Sequence, residues 1–375
     1  MTLDTRARQA SQGIHRAVEV MEMSTFTKEP KKVERFDRYR DRKQRNRRIG
    51  AILVAGALVV AAVVLVSTDI LDRGEGTTPG IPPALSPPAG SILFGVEQGD
   101  GTQALFTVDV AGGPERDLGI ATDPGATWSP DGATILVTSS VGPAETRSPL
   151  RPATIDPDGS NFTLLGATSD PEVGLNCLTW SPDGSQLACE GFSTSGGPEL
   201  GGVYTVRASD GGGIQRLTEF RAVPMDYSPD GSQIVLFRGD QDPESPAGAL
   251  YVVNADGTGL RRITPAGFAF DYFASWSPDG ERIAFGHFDD ANGGELYVVA
   301  PDGSGLTEFL TDEMLGMDAW LATWSPDGAH IAFLGWQGGD EPDVFIARAD
   351  GTDVQQVTDT PDVFERNLVW GPPRG

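Results

Sequence analysis

A hairpin pattern that returns five times at near-equal intervals constrains this chain more than any other feature. It reads ATWSPDGATILV (126–137), LTWSPDGSQLAC (178–189), MDYSPDGSQIVL (225–236), ASWSPDGERIAF (274–285) and ATWSPDGAHIAF (322–333). The aromatic residues Trp128, Trp180, Tyr227, Trp276 and Trp324 are spaced by 52, 47, 49 and 48 residues, and a degraded sixth copy, LVWGPPRG, places Trp370 another 46 residues on. In SPDG, Pro presets φ for a tight turn, Asp makes local side-chain hydrogen bonds, and Gly accepts positive φ as the chain leaves. The flanking residues alternate, so each copy predicts a β-hairpin with the aromatic before the turn and an apolar strand after it.

A second series lies between the first: LFTVDVAGG (105–113), ATIDPDG (153–159), VYTVRASDGG (203–212), LYVVNADGTG (250–259), LYVVAPDGSG (296–305) and VFIARADGTD (344–353). Each is an alternating strand that ends in a Gly-containing turn, followed by a strand such as LRRIT or VQQVT. Two hairpins per period make a four-stranded antiparallel sheet, and a period near 48 predicts propeller blades. There are six outer hairpins and five complete inner ones. The unpaired pieces, Ser91–Gly95 and Asn367–Trp370, match the two halves of an inner hairpin. The expectation is therefore an all-β fold, a six-bladed β-propeller over 91–375, closed by N- and C-terminal strands in one blade so that no open sheet edge remains.

The WSPDG-x-x-[IL]-A-F strand pair followed by LY-V-x-x-DG resembles the TolB-type β-propeller repeats, a WD-like class, over about 285 residues. TolB carries a small α/β domain before its propeller, which this sequence does not show. Similar repeats precede serine peptidase domains of the prolyl oligopeptidase type, but no G-x-S-x-G elbow occurs here. The resemblance implies the fold and a binding role rather than a reaction.

Charge divides the chain. Residues 1–48 hold 14 Lys+Arg and 7 Asp+Glu, a net of +7; the remainder holds 14 Arg, no Lys and 46 Asp+Glu, a net of −32. Between them Ile49–Val66 is an uncharged apolar run of 18 residues, about 27 Å as a helix and close to the hydrocarbon thickness of a bilayer. RYRDRKQRNRR precedes it, so the positive-inside rule predicts an uncleaved single-pass signal-anchor over 49–67, with the N-terminus cytoplasmic and the bulk of the chain extracytoplasmic. Leu3, Ala7, Ala10, Ile14, Ala17, Val18 and Met21 recur at helical spacing, giving a basic cytoplasmic tail (1–48) with a short amphipathic helix. A Pro/Gly-rich linker (68–90) joins the span to the propeller. The acidic body excludes nucleic acid as its partner, because phosphate would be repelled.

Candidate binding residues lie in the longer loops on the face opposite the SPDG and DG turns: Asp240, Asp242, Phe270, Tyr272, Asp289, Asp290, Met317, Trp320, Trp336 and Asp340. Aromatic and Met side chains rimmed by carboxylates suit an amphipathic cationic ligand or a basic protein loop; the same aromatics could equally plug blade interfaces above solvated acids. His287 with Asp289 and Asp290 matches no calcium-loop spacing, and neither metal nor cofactor is expected. Cys177 and Cys189 flank one SPDG turn. They form a disulfide if the hairpin register sets them opposite one another; otherwise Cys189 is a small core residue where other copies carry Phe285 or Phe333.

These features predict a monomeric, membrane-anchored, non-enzymatic scaffold that binds a protein or a small ligand. The alternatives are a transmembrane sensor whose tail engages a regulator of sigma-factor type, and a hydrolase or lyase using loop carboxylates.

Overall fold

The computed structural model describes residues 90–97, 102–140, 150–166, 173–194, 200–239, 248–265, 273–289, 293–310, 315, 317–336, 342–359 and 365–372, without the side chains of residues 124, 139, 140, 288, 289, 293, 365 and 366. Pro87–Gly375 forms one compact unit. The expected tail, span and most of the linker lie outside the described residues, among which no helix is long and apolar enough to cross a membrane.

The described residues form β-sheets, with strands in chain order. β1 (Ser91–Glu97), β2 (Gln103–Asp109) and β3 (Arg116–Trp128) are followed by β4 (Ile135–Ser140), β5 (Leu150–Ile155) and β6 (Thr163–Leu164). Next come β7 (Val173–Trp180), β8 (Gln186–Ser193), β9 (Gly202–Arg207) and β10 (Gln215–Arg216), then β11 (Val223–Tyr227), β12 (Gln233–Arg238), β13 (Ala249–Asn254) and β14 (Arg261–Arg262). The series continues with β15 (Ala274–Trp276), β16 (Ile283–Asp289), β17 (Gly293–Val299) and β18 (Thr307–Glu308). It ends with β19 (Asp318–Trp324), β20 (His330–Trp336), β21 (Asp343–Arg348), β22 (Gln355–Gln356) and β23 (Glu365–Trp370).

From β7 onward each run of four is one antiparallel sheet, in spatial order of sequence from the SPDG hairpin outward. The remaining strands form a seven-stranded sheet, β23-β1-β2-β3-β4-β5-β6. In it β3 serves twice: its first half pairs with β2 up to Thr122, and its second half pairs with β4 from Asp123 to Trp128. The strands that carry the repeating aromatic touch in a closed circuit, β3 to β7, β11, β15, β19, β23 and back to β3.

One register repeats throughout. Trp128 faces Ile135, Trp180 faces Leu187, Tyr227 faces Ile234, Trp276 faces Ile283 and Trp324 faces Ile331. The turn explains the constancy. In the copy at 181–186, the Ser181 amide donates to the Gln186 carbonyl at 2.8 Å, the Gln186 amide donates to Ser181 Oγ at 2.9 Å, and Ser181 Oγ donates to Asp183 Oδ1 at 2.6 Å. The same bonds recur from Ser129, Ser228, Ser277 and Ser325. Neighbouring turns also stack: a Cβ on Gly231, Gly280 or Gly328 would meet the Pro of the preceding turn (Pro182, Pro229 or Pro278) at 3.5–3.8 Å.

The fourth strands are shorter than the LRRIT and VQQVT runs suggest, with two residues each from β6 onward. The ladder is taken over by a side chain. Buried Thr218, Thr264 and Thr358 accept the amides of Val203, Leu250 and Val344 through Oγ1 at 2.9, 3.0 and 2.8 Å, which satisfies the third strand without extending the fourth. The core lies between sheets. Fully buried Phe94, Phe285 and Phe333 stack on Phe106, Tyr297 and Phe345 with centroids 5.7, 6.0 and 5.9 Å apart.

Candidate functional site

Of the loop residues expected to bind, Asp240, Asp242, Phe270, Tyr272, Asp290 and Asp340 lie outside the described residues. Asp289 ends β16, its backbone paired with Gly293. Met317 corrects the expectation of a contact residue. It is 3 % exposed, within a core cluster that includes Leu315, Phe333 and Phe345. The reason is Gly335: a Cβ there would meet Met317 Sδ at 2.5 Å, so the missing side chain makes the slot that Met317 fills. Trp320 is partly buried against the cluster containing Ile92 and Phe94, and a Cβ on Gly294 would meet its Cε3 at 3.0 Å. Trp336 is half-buried and faces Asp318 across the β19–β20 pair.

The strands bring together a set of side chains that the sequence does not mark as a group. In the β15–β18 sheet, His287 faces Glu295 and Tyr297 faces Glu308. Strand alternation places His287, Glu295 and Tyr297 on one face, opposite the face where Gly294 receives Trp320. The Tyr297 hydroxyl donates to Glu295 Oε2 at 3.1 Å and lies 3.4 Å from Glu308 Oε1. It has one proton for two carboxylates. The His287 ring meets the Tyr297 ring edge-on at 5.6 Å. Desolvation pushes the Tyr297 phenol well above its usual range, and the charges of Glu295 and Glu308 and their hydrogen bonds to it push it further. Tyr297 therefore stays protonated, as a donor fixed between two acceptors. An aromatic ring flanked by carboxylates attracts a cation through charge and through the ring face. The alternation in Glu295-Leu296-Tyr297 was the available sequence signal, but it sits in a strand rather than a loop.

No group of three or more His, Cys, Asp or Glu side chains among the described residues is arranged to hold a metal ion. Cys177 and Cys189 face one another across β7 and β8, and their sulfurs are joined in a disulfide. On its other side Cys189 faces Tyr204, the place where three other sheets stack two aromatic rings.

No family model matches this chain, and no curated protein matches it. Solved structures do. TolB from Acinetobacter baumannii aligns with a TM-score of 0.58 at 19 % identity, covering 76 % of this chain and 68 % of that one. A putative TolB from Agrobacterium tumefaciens gives 0.52 at 18 %, covering 76 % and 99 %. A chain of a nidogen/laminin complex gives 0.51 at 10 %, covering 75 % and 98 %. The chain has a TolB-like β-propeller fold.

Proposed function

We propose that this protein is a membrane-anchored, non-enzymatic scaffold. In this reading its propeller is a closed wheel of six blades held outside the cytoplasm by the 49–67 span, with residues 1–48 inside. The rim carried by the β15–β18 sheet takes a cationic ligand, most naturally a basic loop of another protein. The observation that carries the reading is the Tyr297 hydroxyl fixed between Glu295 and Glu308. The circuit of six first strands supports the blade count. The Cys177–Cys189 disulfide supports an oxidising compartment. One of the similar folds occurs in a complex of two proteins, nidogen and laminin. The wheel acts as a monomer and needs no cofactor.

Crosslinking mass spectrometry on intact cells tests the reading. Reproducible crosslinks from a basic protein segment to the rim near Glu295 and Glu308 support it, and Glu295→Gln with Glu308→Gln should weaken that capture about tenfold. Crosslinks confined to the SPDG-turn face, or capture unchanged by the double substitution, would overturn it.

A further inference from the structure

The hairpins of the second series pair an aromatic with a polar side chain at one fixed register. Phe106 faces Asp117, Tyr204 faces Arg216, Tyr251 faces Arg262, Tyr297 faces Glu308 and Phe345 faces Gln356. The exception is β5 with β6, where Ala153 faces Leu164. The ring is gone, and an apolar side chain stands where the other copies carry a charge or an amide. Leu164 does not retreat into the space of the ring. Ala153 is fully buried, while Leu164 stays 39 % exposed. Phe162 lies two residues earlier, on the same face, and is 49 % exposed.

This apolar pair borders an open edge. Among the described residues β6 ends the seven-stranded sheet. The Leu165 amide donates inward to the Pro152 carbonyl at 3.0 Å, so alternation turns the amide and carbonyl of Leu164 outward. A polar or charged side chain beside such an edge keeps other strands away. Arg216, Arg262, Glu308 and Gln356 occupy that position on β10, β14, β18 and β22, which also end their sheets. On β6 alone the guard is replaced by Leu.

A second copy of the chain suits this edge poorly. β6 is two residues long, so pairing it with its counterpart covers far less than the roughly 1,000 Å² of a specific interface. It would also bring together two acidic bodies, each with a net charge of −32 beyond residue 48. One extended segment of opposite charge meets neither obstacle. The turn that leads into Phe162 carries Asp156 and Asp158; Asp156 accepts from Asn161 Nδ2 at 2.7 Å, and Arg116 is near enough to Asp158 to act on its charge.

We propose that β6 is a docking edge for an extended segment of another protein, which adds as a strand beside Leu164, sets alternate apolar side chains on Phe162 and Leu164, and carries Lys or Arg between them. This edge is separate from the Tyr297 rim and does not rest on that reading.

The test uses purified full-length protein and a labelled, capped peptide, Lys-Val-Lys-Ile-Lys-Val-Lys, with binding read by fluorescence anisotropy. The expected Kd is about 100 μM. Leu164→Gln, which installs the side chain of Gln356 at an exposed site, should weaken binding about tenfold, and Glu295→Gln with Glu308→Gln should leave it unchanged. A peptide N-methylated at alternate residues keeps its charge and apolar side chains but cannot complete the ladder, and it should lose binding. Hydrogen exchange on wild type reads the edge without a variant: the peptide should slow exchange of the Leu164 amide. Four outcomes would overturn the proposal: no saturable binding up to about 1 mM, equal binding of the N-methylated peptide, binding lost with the Glu295 and Glu308 changes but not with Leu164→Gln, or protection confined to amides away from β6.

Discussion

Ile92 and Trp370, from opposite ends of the described chain, face one another across β1 and β23 in the register that Ile331 and Trp324 hold within a single hairpin. The C-terminal copy thus completes an inner hairpin whose other strand was made at the start of the unit. The contact extends to the turns. A Cβ on Gly132 would meet Pro372 Cγ at 2.8 Å, so the degraded GPP stacks where an SPDG turn would. Trp370→Ala should cost about 3–5 kcal/mol, as for a large core aromatic. Deleting 365–375 should do more, by exposing the β1 edge and promoting association. Urea unfolding and size-exclusion chromatography check both outcomes; a deletion that stays monomeric with an unchanged midpoint would contradict the clasp.

The disulfide offers a second prediction. Cys177 and Cys189 are 12 residues apart and fully buried. Closing so short a loop restricts the unfolded chain by about 2–3 kcal/mol. Cys177→Ala with Cys189→Ala should lower stability by about that much, and the variant should be insensitive to reductant. A wild-type urea midpoint that does not move on full reduction would contradict a stabilising bridge.

The turn aspartates give a prediction for acid pH. The Ser181 hydroxyl first, then the Ser185 amide and hydroxyl, hold Asp183 down to about 2. The folded value lies below the unfolded one, so its contribution is present above the ordinary carboxylate range and is lost as pH falls through about 2. Ser181→Ala should move this titration up toward the ordinary range, as read by carboxyl NMR. It should also cost about 1 kcal/mol at neutral pH, because the Gln186 amide loses the Ser181 Oγ acceptor. An unmoved Asp183 titration would count against the assigned cause.

Much of this fold was legible because its determinants are local. The SPDG turn sets each register through bonds within six residues, and the period of the aromatic sets the sheets. The clasp was legible by counting strands. The fourth strands were overestimated because Thr218, Thr264 and Thr358 end the ladder with a side chain, a device that looks the same as strand continuation in LRRIT. The site was less legible, because it depends on contacts between distant residues. Glu295 and Glu308 come together only through the β16–β18 registers.

The placement of Met317 yields the last prediction, and it separates packing from binding. Sequence alone put Met317 beside Trp320 as a contact residue, yet its sulfur fills the slot over Gly335 and it is 3 % exposed. Met317→Ala should leave a cavity and cost about 2–4 kcal/mol of stability. Gly335→Ala should cost about 1–3 kcal/mol by the reverse route, because the new Cβ would collide with Met317 Sδ at 2.5 Å and Phe345 Cδ2 at 2.6 Å. The two changes meet at one spot and are complementary in volume. Combining them should therefore be less damaging than their sum, with an interaction of about 1 kcal/mol in a double-mutant cycle. Denaturant unfolding of the three variants measures it. Strict additivity would mean that Met317 does not occupy the slot and belongs among the exposed residues after all.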